Sequence, residues 1–157
     1  MHHPTRLALC GLLILFIVLP PATGLAGFSL FSRHKAVSPS QDQVRIPLER
    51  INDDKAHYYK YQQAGTAIRF FVVRSRDGVI RAAFDACDVC FPAAKGYTKE
   101  GDFMTCVNCG QKFHTSRINV ERGGCNPAPL RRRLEGAELV IDSRDIAAGN
   151  RFFRSRR

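Results

Sequence analysis

The sequence lacks the signatures that mark most enzymes. It has no phosphate-binding loop and no pair of carboxylates spaced for acid–base catalysis. Nothing in it places a base beside a cysteine, as a nucleophilic thiol would require. Helical periodicity is scarce beyond the N-terminal segment, and no repeat is visible apart from two cysteine loops. These absences favour a binding or electron-transfer protein over an enzyme.

What the sequence has instead is two Cys-x-x-Cys pairs. They are Cys87–Cys90 and Cys106–Cys109, separated by 15 residues. Each pair brings two thiolates together on one loop, and two such loops can close a tetrahedral four-sulfur site around zinc or iron. Gly110 follows the second pair, where a loop that folds its amides back toward sulfur favours a residue tolerant of positive φ. The sequence therefore predicts that Cys87, Cys90, Cys106 and Cys109 bind one metal centre.

The residues alone leave the identity of this centre open. A structural zinc would stabilise a small fold without redox chemistry, and it competes with an iron or iron–sulfur centre. Disulfides are the third alternative, because an exported chain meets an oxidising compartment. The five cysteines downstream of residue 80 are an odd number, so at least one stays unpaired in any intramolecular disulfide scheme. That count favours metal ligation.

Three further side chains are candidates for an additional ligand or for a place beside the centre. Cys125 lies in a sharply turning Gly-Gly-Cys-Asn-Pro loop. Four roles are open to it: a ligand in place of one paired cysteine, a thiol beside the centre, a redox partner or a buried structural thiol. His114 follows Cys109 by five residues, and a place beside the centre is favoured because no Cys-x-His pair of the Rieske kind is present. Met104 offers a thioether that suits Cu(I), although packing beside the site is the simpler role.

An apolar run occupies the N-terminus. Leu7–Leu19 follows Arg6 and precedes Pro20-Pro21 and a stretch of small residues, which is the order of a secretory signal. We predict that residues 1–26 are a signal peptide or, alternatively, a single membrane anchor. Either way the rest of the chain is exported, to the periplasm or the outer face of the cytoplasmic membrane. Residues 27–43 lack periodicity and are predicted to form a tether.

Positive charge predominates in this chain. Its 24 lysines and arginines against 14 acidic residues give a formal net charge of +10. Two arginine clusters, Arg131–Arg133 and Arg151–Arg157, are expected to attract anionic surfaces. Because export makes nucleic acid an unsuitable partner, we expect these clusters to face acidic lipid headgroups or an acidic protein.

Short strands are predicted over much of the remaining chain. Val44–Leu48 alternates apolar and polar residues, and its proline suits an edge strand. Aromatic and β-branched residues predict strands at His57–Tyr61 and Ala67–Arg74. Asp77-Gly78 then predicts a tight hairpin that joins the second of these to Val79–Phe84. The hairpin delivers the chain to Cys87, at the end of a strand.

The remaining pattern also predicts strands, so the expected fold class is mainly β. We expect a small antiparallel β domain with a cysteine-loop metal site. A turn and a short strand are predicted between the two cysteine pairs, and further strands at Ile118–Val120 and Glu138–Asp142. Pro129–Glu135 offers at most a turn or two of helix. We place the folded domain at residues 44–148, followed by a basic tail at 149–157.

A set of these motifs together resembles a known family, the FtrD-like membrane iron–sulfur proteins. The resemblance spans about Ile51 to Ile146. It rests on Cys87-Asp88-Val89-Cys90, Gly96-Tyr97, Met104, Cys106-Val107-Asn108-Cys109-Gly110, Phe113 and Gly123-Gly124-Cys125-Asn126-Pro127. Longer members carry several transmembrane helices before the domain, whereas here one apolar segment precedes it.

The resemblance implies an iron–sulfur cluster as the cofactor and electron transfer as the function. Members accompany ferrous-iron uptake systems and act on the outer side of the cytoplasmic membrane. We therefore expect an exported electron-transfer module whose partner is a membrane iron permease or a redox protein. The alternatives are a structural zinc-binding interaction module and, less favoured, a thiol–disulfide redox or copper-binding protein.

Overall fold

The computed structural model describes residues 32–154. Within them 41% of residues are in strands and 15% in helices, which confirms a mainly β class. The predicted signal peptide or anchor at residues 1–26 lies outside the described residues. No helix within residues 32–154 has the length and apolar character needed to cross a membrane.

Within residues 32–154, ten strands form three small sheets. In chain order they are β1 (Lys35–Val37), β2 (Gln43–Pro47), β3 (Ala56–Gln63), β4 (Thr66–Arg74), β5 (Ile80–Phe84), β6 (Tyr97–Glu100), β7 (Phe103–Cys106), β8 (Lys112–His114), β9 (Arg133–Glu135) and β10 (Glu138–Asp142). One short α-helix, α1 (Ser143–Ala147), and four 3₁₀ segments complete the described chain: Leu48–Arg50, Phe91–Ala93, Thr115–Arg117 and Ala148–Phe152.

The first sheet has the order β1-β3-β4-β5 and carries the first cysteine loop. Its pairs are antiparallel except β1 with β3, which is parallel. The Asp77-Gly78 hairpin between β4 and β5 is confirmed, with Gly78 at φ +79°. Since β5 ends at Phe84, only two residues separate this sheet from Cys87.

The two faces of β5 belong to different cores. Ile80, Ala82 and Phe84 point into the larger core, between the first sheet and the β2-β10-β9 sheet, whereas Ala83 points into a smaller one. This alternation follows from the strand period of two residues. The smaller core also contains two cysteines, so it forms the apolar base of the cysteine site.

The third sheet, β6-β7-β8, carries the second cysteine loop. β6 and β7 form a hairpin where the sequence predicted a turn and one short strand, and β7 ends at Cys106. The remaining sheet places β10 between β2 and β9, so β2 is an edge strand as its proline predicted.

The described fold begins earlier and ends later than the sequence predicted. β1 lies inside residues 27–43, which were expected to be a tether, because its short backbone segment adds to the edge of β3. At the other end, Phe152 is 7% exposed and packs against Phe84 and Phe91, with ring centroids 5.8 Å apart in both pairs. The residues assigned to a basic tail therefore include part of the larger core.

Two local predictions were wrong. Ile118–Val120 is a turn and not a strand, because Asn119 adopts φ +65° and its side-chain amide donates to the Leu130 carbonyl at 2.8 Å. Pro129–Glu135 is extended and not helical. Its first residues bond to the first sheet: the Leu130 N–H donates to the Ala82 carbonyl at 3.3 Å. These backbone groups are therefore not free to form a helix.

Candidate metal centre

The first cysteine loop follows β5 directly. Cys87 is buried and Cys90 is half-buried. The backbone N–H of Cys90 donates to Cys87 Sγ at 3.1 Å, which directs a positive dipole at the sulfur. The two sulfurs of this loop lie within 4.8 Å of each other.

The second loop is closed by its own backbone. Cys106 N–H donates to the Gln111 carbonyl at 2.9 Å, and Gly110 N–H donates to the Cys106 carbonyl at 2.8 Å. Gly110 adopts φ +76°, as predicted for the glycine after the second pair. Val107 N–H reaches the Gly96 carbonyl at 2.9 Å, so this loop is fixed to the start of β6.

The two loops and a third cysteine segment, residues 123–127 with Cys125, bring five thiols together. Cys90 belongs to both groups of mutually close sulfurs in the described part of the chain, each within 4.8 Å. Those groups are Cys87, Cys90 and Cys125, and Cys90, Cys106 and Cys109. All four sequence-predicted ligands therefore lie in one cluster, and Cys125 lies in it as well.

The thiols differ in how readily they ionise. Burial raises the pKa of Cys106 to about 11, and it raises the pKa of Cys125 to about 12 with the help of neighbouring thiols. The exposed Cys109 shows the opposite direction, because the Gln111 N–H stabilises its thiolate and lowers the pKa. A metal must displace protons from the first two sulfurs, so binding weakens as the pH falls.

A buried carboxylate, that of Asp85, lies two residues before Cys87. Its side chain has no exposed surface, and its Oδ2 accepts from His34 Nε2 at 2.8 Å and Arg33 Nη2 at 3.0 Å. Oδ1 accepts from the Tyr97 N–H at 2.7 Å. A Cβ at Gly96 would overlap this carboxylate, so the position requires glycine. Asp85 therefore ties the segment before β1 and the start of β6 to the root of the first loop.

Tyr97 connects this ion pair to the third cysteine segment. Its ring is 1% exposed and its hydroxyl donates to the Cys125 carbonyl at 2.5 Å. Burial raises the pKa of Tyr97 well above its usual range, so the hydroxyl stays a donor. Tyr58 adds a further bond, from its hydroxyl to the Tyr97 carbonyl at 3.1 Å. The backbone that carries Cys125 is thus held from the interior.

The two other sequence candidates lie at different distances from the thiols. Met104 is fully buried in the smaller core with Cys87 and Cys106, where it packs beside the site. His114 belongs to neither group of close sulfurs; its Nδ1 lies 2.7 Å from Ser116 Oγ and caps the 3₁₀ segment that follows. Met104 therefore packs in the smaller core, and His114 lies outside both groups of close thiols.

The cluster has a closed inner side and an open outer side. A cavity of about 10 Å³, bordered by Cys87, Cys90 and Cys106, is the space left behind the sulfurs. That volume suits no more than a single water. On the other side Cys109 is exposed, and so are Val89 (60%) and Val107 (47%) on the two loops. The accessible side of the cluster is therefore the one that carries Cys109.

Comparison with known proteins agrees with the composition of this site. The sequence profile of the FtrD-like family, described as membrane iron–sulfur-containing protein FtrD-like, matches residues 51–153. This chain belongs to the FtrD-like family. The match covers all five clustered cysteines, and it confirms the resemblance found from the motifs.

Other comparisons add little. No curated protein matches the chain. Among solved structures, a quaternary ammonium Rieske monooxygenase, CntA, in complex with an inhibitor, is similar with 14% identity and a TM-score of 0.41. The aligned part covers 62% of this chain and 29% of that protein.

The donor set of this FtrD-like domain fits the cofactor that the family name implies. Iron–sulfur clusters and structural zinc both take four cysteine thiolates, and five are within reach here. The apolar base formed by Met104 and Tyr97 limits access of water from the interior. Backbone N–H groups aimed at Cys87 and Cys109 compensate the negative charge that such a centre collects.

Sequence reasoning missed the residues that hold the site in place. Asp85 and its partner His34 are 51 residues apart, and no local pattern couples them. Tyr97 was noted only as part of a family motif, although its position after a glycine that precedes a strand was visible. The contact of Cys125 with the first loop was also beyond any spacing rule, since it depends on how the third segment packs.

We predict that replacing any one of Cys87, Cys90, Cys106 or Cys109 with serine releases metal and destabilises the domain. Ligation and folding are coupled in small metal-binding domains, so both effects should appear together. Metal content by elemental analysis and unfolding by circular dichroism measure them. Val120→Ser is the control, because Val120 is 63% exposed and belongs to neither group of close thiols. Full metal occupancy in two of the four variants would contradict the assignment.

We predict that Asp85→Ala lowers the free energy of unfolding by about 3 kcal/mol. This is the low end of the cost of breaking a buried ion pair, because the Arg33 side chain is 38% exposed. Asp88→Ala is the matched control three residues along the chain. It removes an exposed pair with Arg151 and should cost at most about 1 kcal/mol. Chemical denaturation measures both, and equal costs for the two variants would show that Asp85 is not a structural centre.

Proposed function

We propose that this protein is an exported electron-transfer module that holds an iron–sulfur centre on Cys87, Cys90, Cys106 and Cys109. The observation that carries the proposal is the meeting of both Cys-x-x-Cys loops at Cys90. Membership of a family described as iron–sulfur-containing supports the same cofactor. The proposal needs no substrate pocket, since a protein that passes electrons requires only a held cofactor and a surface.

The arrangement of the thiols supports a cluster over a single ion. A mononuclear tetrahedral site needs four mutually close sulfurs, whereas the close groups in residues 32–154 have three members each. In a cluster the cysteine sulfurs are spread around several metal atoms. Two overlapping groups that share Cys90 are compatible with that wider distribution.

An iron–sulfur centre at this site would supply one-electron exchange. The chain's own residues set the conditions for it. The N–H of Cys90 and the N–H of Gln111 stabilise negative charge on Cys87 and Cys109 respectively, which favours the reduced form. The exposed Cys109, with Val89 and Val107 beside it, keeps the route to a partner short.

A structural zinc is the second candidate, and one distance favours it. Cys90 Sγ and Cys125 Sγ lie 3.7 Å apart. That matches the edge of about 3.8 Å expected for a tetrahedral site with metal–sulfur bonds of about 2.3 Å. In that case the domain is an interaction module that the metal stabilises, with no redox role.

We expect anaerobically purified protein to be coloured, with iron and acid-labile sulfide in equal amounts and a visible absorption that dithionite bleaches reversibly. Elemental analysis, absorption and electron paramagnetic resonance spectroscopy measure this. A colourless protein with about one zinc per chain would support the structural alternative. A protein without metal, whose Cys-x-x-Cys pairs oxidise reversibly, would support thiol–disulfide exchange.

For its partner, we propose a ferrous-iron uptake complex at the outer face of the cytoplasmic membrane, with which this domain exchanges electrons as iron passes. Support comes from the apolar segment at residues 7–19 and from the membrane association in the family description. The described residues show no cluster of histidines or carboxylates at the thiols that would offer iron an open site.

The basic clusters contribute less free charge than the sequence suggested. Arg133 pairs with Glu135 at 2.6 Å and Asp142 at 3.0 Å, and the half-buried Arg132 donates to the Ile80 carbonyl at 3.0 Å. Arg131 and Arg154 remain exposed. We therefore propose that attraction to anionic lipid or an acidic partner rests on exposed charges of this kind and weakens with salt.

We expect deletion of the gene to reduce ferrous-iron uptake and growth under iron limitation, and the membrane partner to co-purify with this protein at low salt. Radioactive iron uptake and affinity purification measure the two effects. Complementation with the wild-type gene is the positive control, and complementation with a Cys109→Ser variant should fail. Unchanged uptake together with no co-purifying membrane protein would overturn the iron-uptake role while leaving electron transfer open.

A further inference from the structure

The geometry points to a disulfide between Cys90 and Cys125 as the oxidised form of the metal-free site. Their sulfurs are in contact at 3.7 Å, although the residues are 35 positions apart in the chain. Both are free thiols in this structure. The inference goes beyond the proposed function, because it holds whichever metal the site binds.

Burial distinguishes this pair from Cys87 and Cys106. The 3.7 Å contact favours it over the exposed Cys109, whose sulfur lies within 4.8 Å of Cys90. Cys87 is 1% exposed and Cys106 is 2% exposed, so a dissolved oxidant cannot approach either sulfur directly. Cys87 Sγ also accepts the N–H of Cys90, which fixes it against the backbone of its own loop. Cys90 and Cys125 are both partly exposed and face each other.

The bond requires the two sulfurs to move closer together. A disulfide has a sulfur–sulfur length of about 2.0 Å, so the two sulfurs must approach by about 1.7 Å. The Tyr97 hydroxyl holds the Cys125 carbonyl, which keeps the backbone in place while the side chain rotates. Gly123 and Gly124, both at positive φ, shape the turn that brings Cys125 to Cys90.

The oxidant required is a small or protein disulfide, and the reaction is an exchange. One thiolate of the pair attacks the external disulfide, forms a mixed disulfide and releases the first external thiolate. The second thiolate then attacks the mixed disulfide, closes the Cys90–Cys125 bond and releases the second external thiolate. In total the pair loses two electrons to the oxidant and two protons to solvent. A dithiol reductant reverses both steps.

The bond would prevent the centre from forming. Cys90 is the sulfur common to both groups of close thiols, so its oxidation removes a ligand from each group at once. Metal loading then requires prior reduction of the pair by a dithiol. In an oxidising compartment the Cys90–Cys125 bond would also protect the thiols of an empty site from other oxidation.

Peptide mapping of the full-length protein tests the pair. The protein is stripped of metal with a chelator, freed of reductant, exposed to oxidised glutathione, alkylated and digested with trypsin. Cys87 and Cys90 fall in peptide 82–95, Cys106 and Cys109 in 100–112, and Cys125 in 123–131. We expect a cross-link between peptides 82–95 and 123–131, located at Cys90 by fragmentation, and loss of zinc binding until a dithiol is added.

The same oxidation in urea is the matched control. In the unfolded chain the shortest loops close most readily, so bonds within peptides 82–95 and 100–112 should dominate there. Cys87→Ser should keep the native cross-link and Cys125→Ser should lose it. Fragmentation of the wild-type peptide decides the case if either variant fails to fold. Bonds within 82–95, or between 82–95 and 100–112, as the main native product would overturn the proposal, whereas metal content before stripping tests the proposed function separately.

Discussion

A single buried carboxylate fixes the relative positions of the segments that meet at the cysteine site. Asp85 has no exposed side-chain surface, and a charge in that position is tolerated only when it is paired and hydrogen-bonded. Its partners come from the segment before β1 and from the first residue of β6. The root of the first cysteine loop is therefore held at a defined position relative to the second loop, whose Val107 bonds to the start of the same β6.

This arrangement explains how a small β domain can position sulfurs on loops. Each Cys-x-x-Cys loop leaves the end of a strand, so its first sulfur is set by the sheet and its second by backbone hydrogen bonds. Rigid supports of this kind are what a metal site requires of its surroundings. The third segment has no strand behind it, and the Tyr97 hydroxyl supplies the missing support to Cys125.

The local features of the fold were predictable from sequence, and the long-range ones were not. Asp77-Gly78 predicted its hairpin because a tight turn that closes on a glycine at positive φ is a local property. The four paired cysteines were found because their spacing is itself the signal of the site. By contrast, the role of Phe152 depends on its packing with Phe84 and Phe91, far away in sequence. The strand predicted at Ile118–Val120 failed because one residue, Asn119, bonds to a distant carbonyl and takes a left-handed conformation.

The surplus of thiols links the metal chemistry of the site to its redox chemistry. Four thiolates complete either an iron–sulfur cluster or a zinc site, so a fifth sulfur in contact has no obligatory place among the ligands. In an exported protein such a sulfur is a hazard if it oxidises at random, because a wrong bond would distort the loops. Here the fifth sulfur contacts Cys90, which both groups share, and its backbone is fixed from the interior. On this proposal the contact with Cys90 selects the bond that forms, and that bond leaves the buried Cys87 and Cys106 reduced. The same packing that gathers the sulfurs for a metal thus determines what happens to them when the metal is absent.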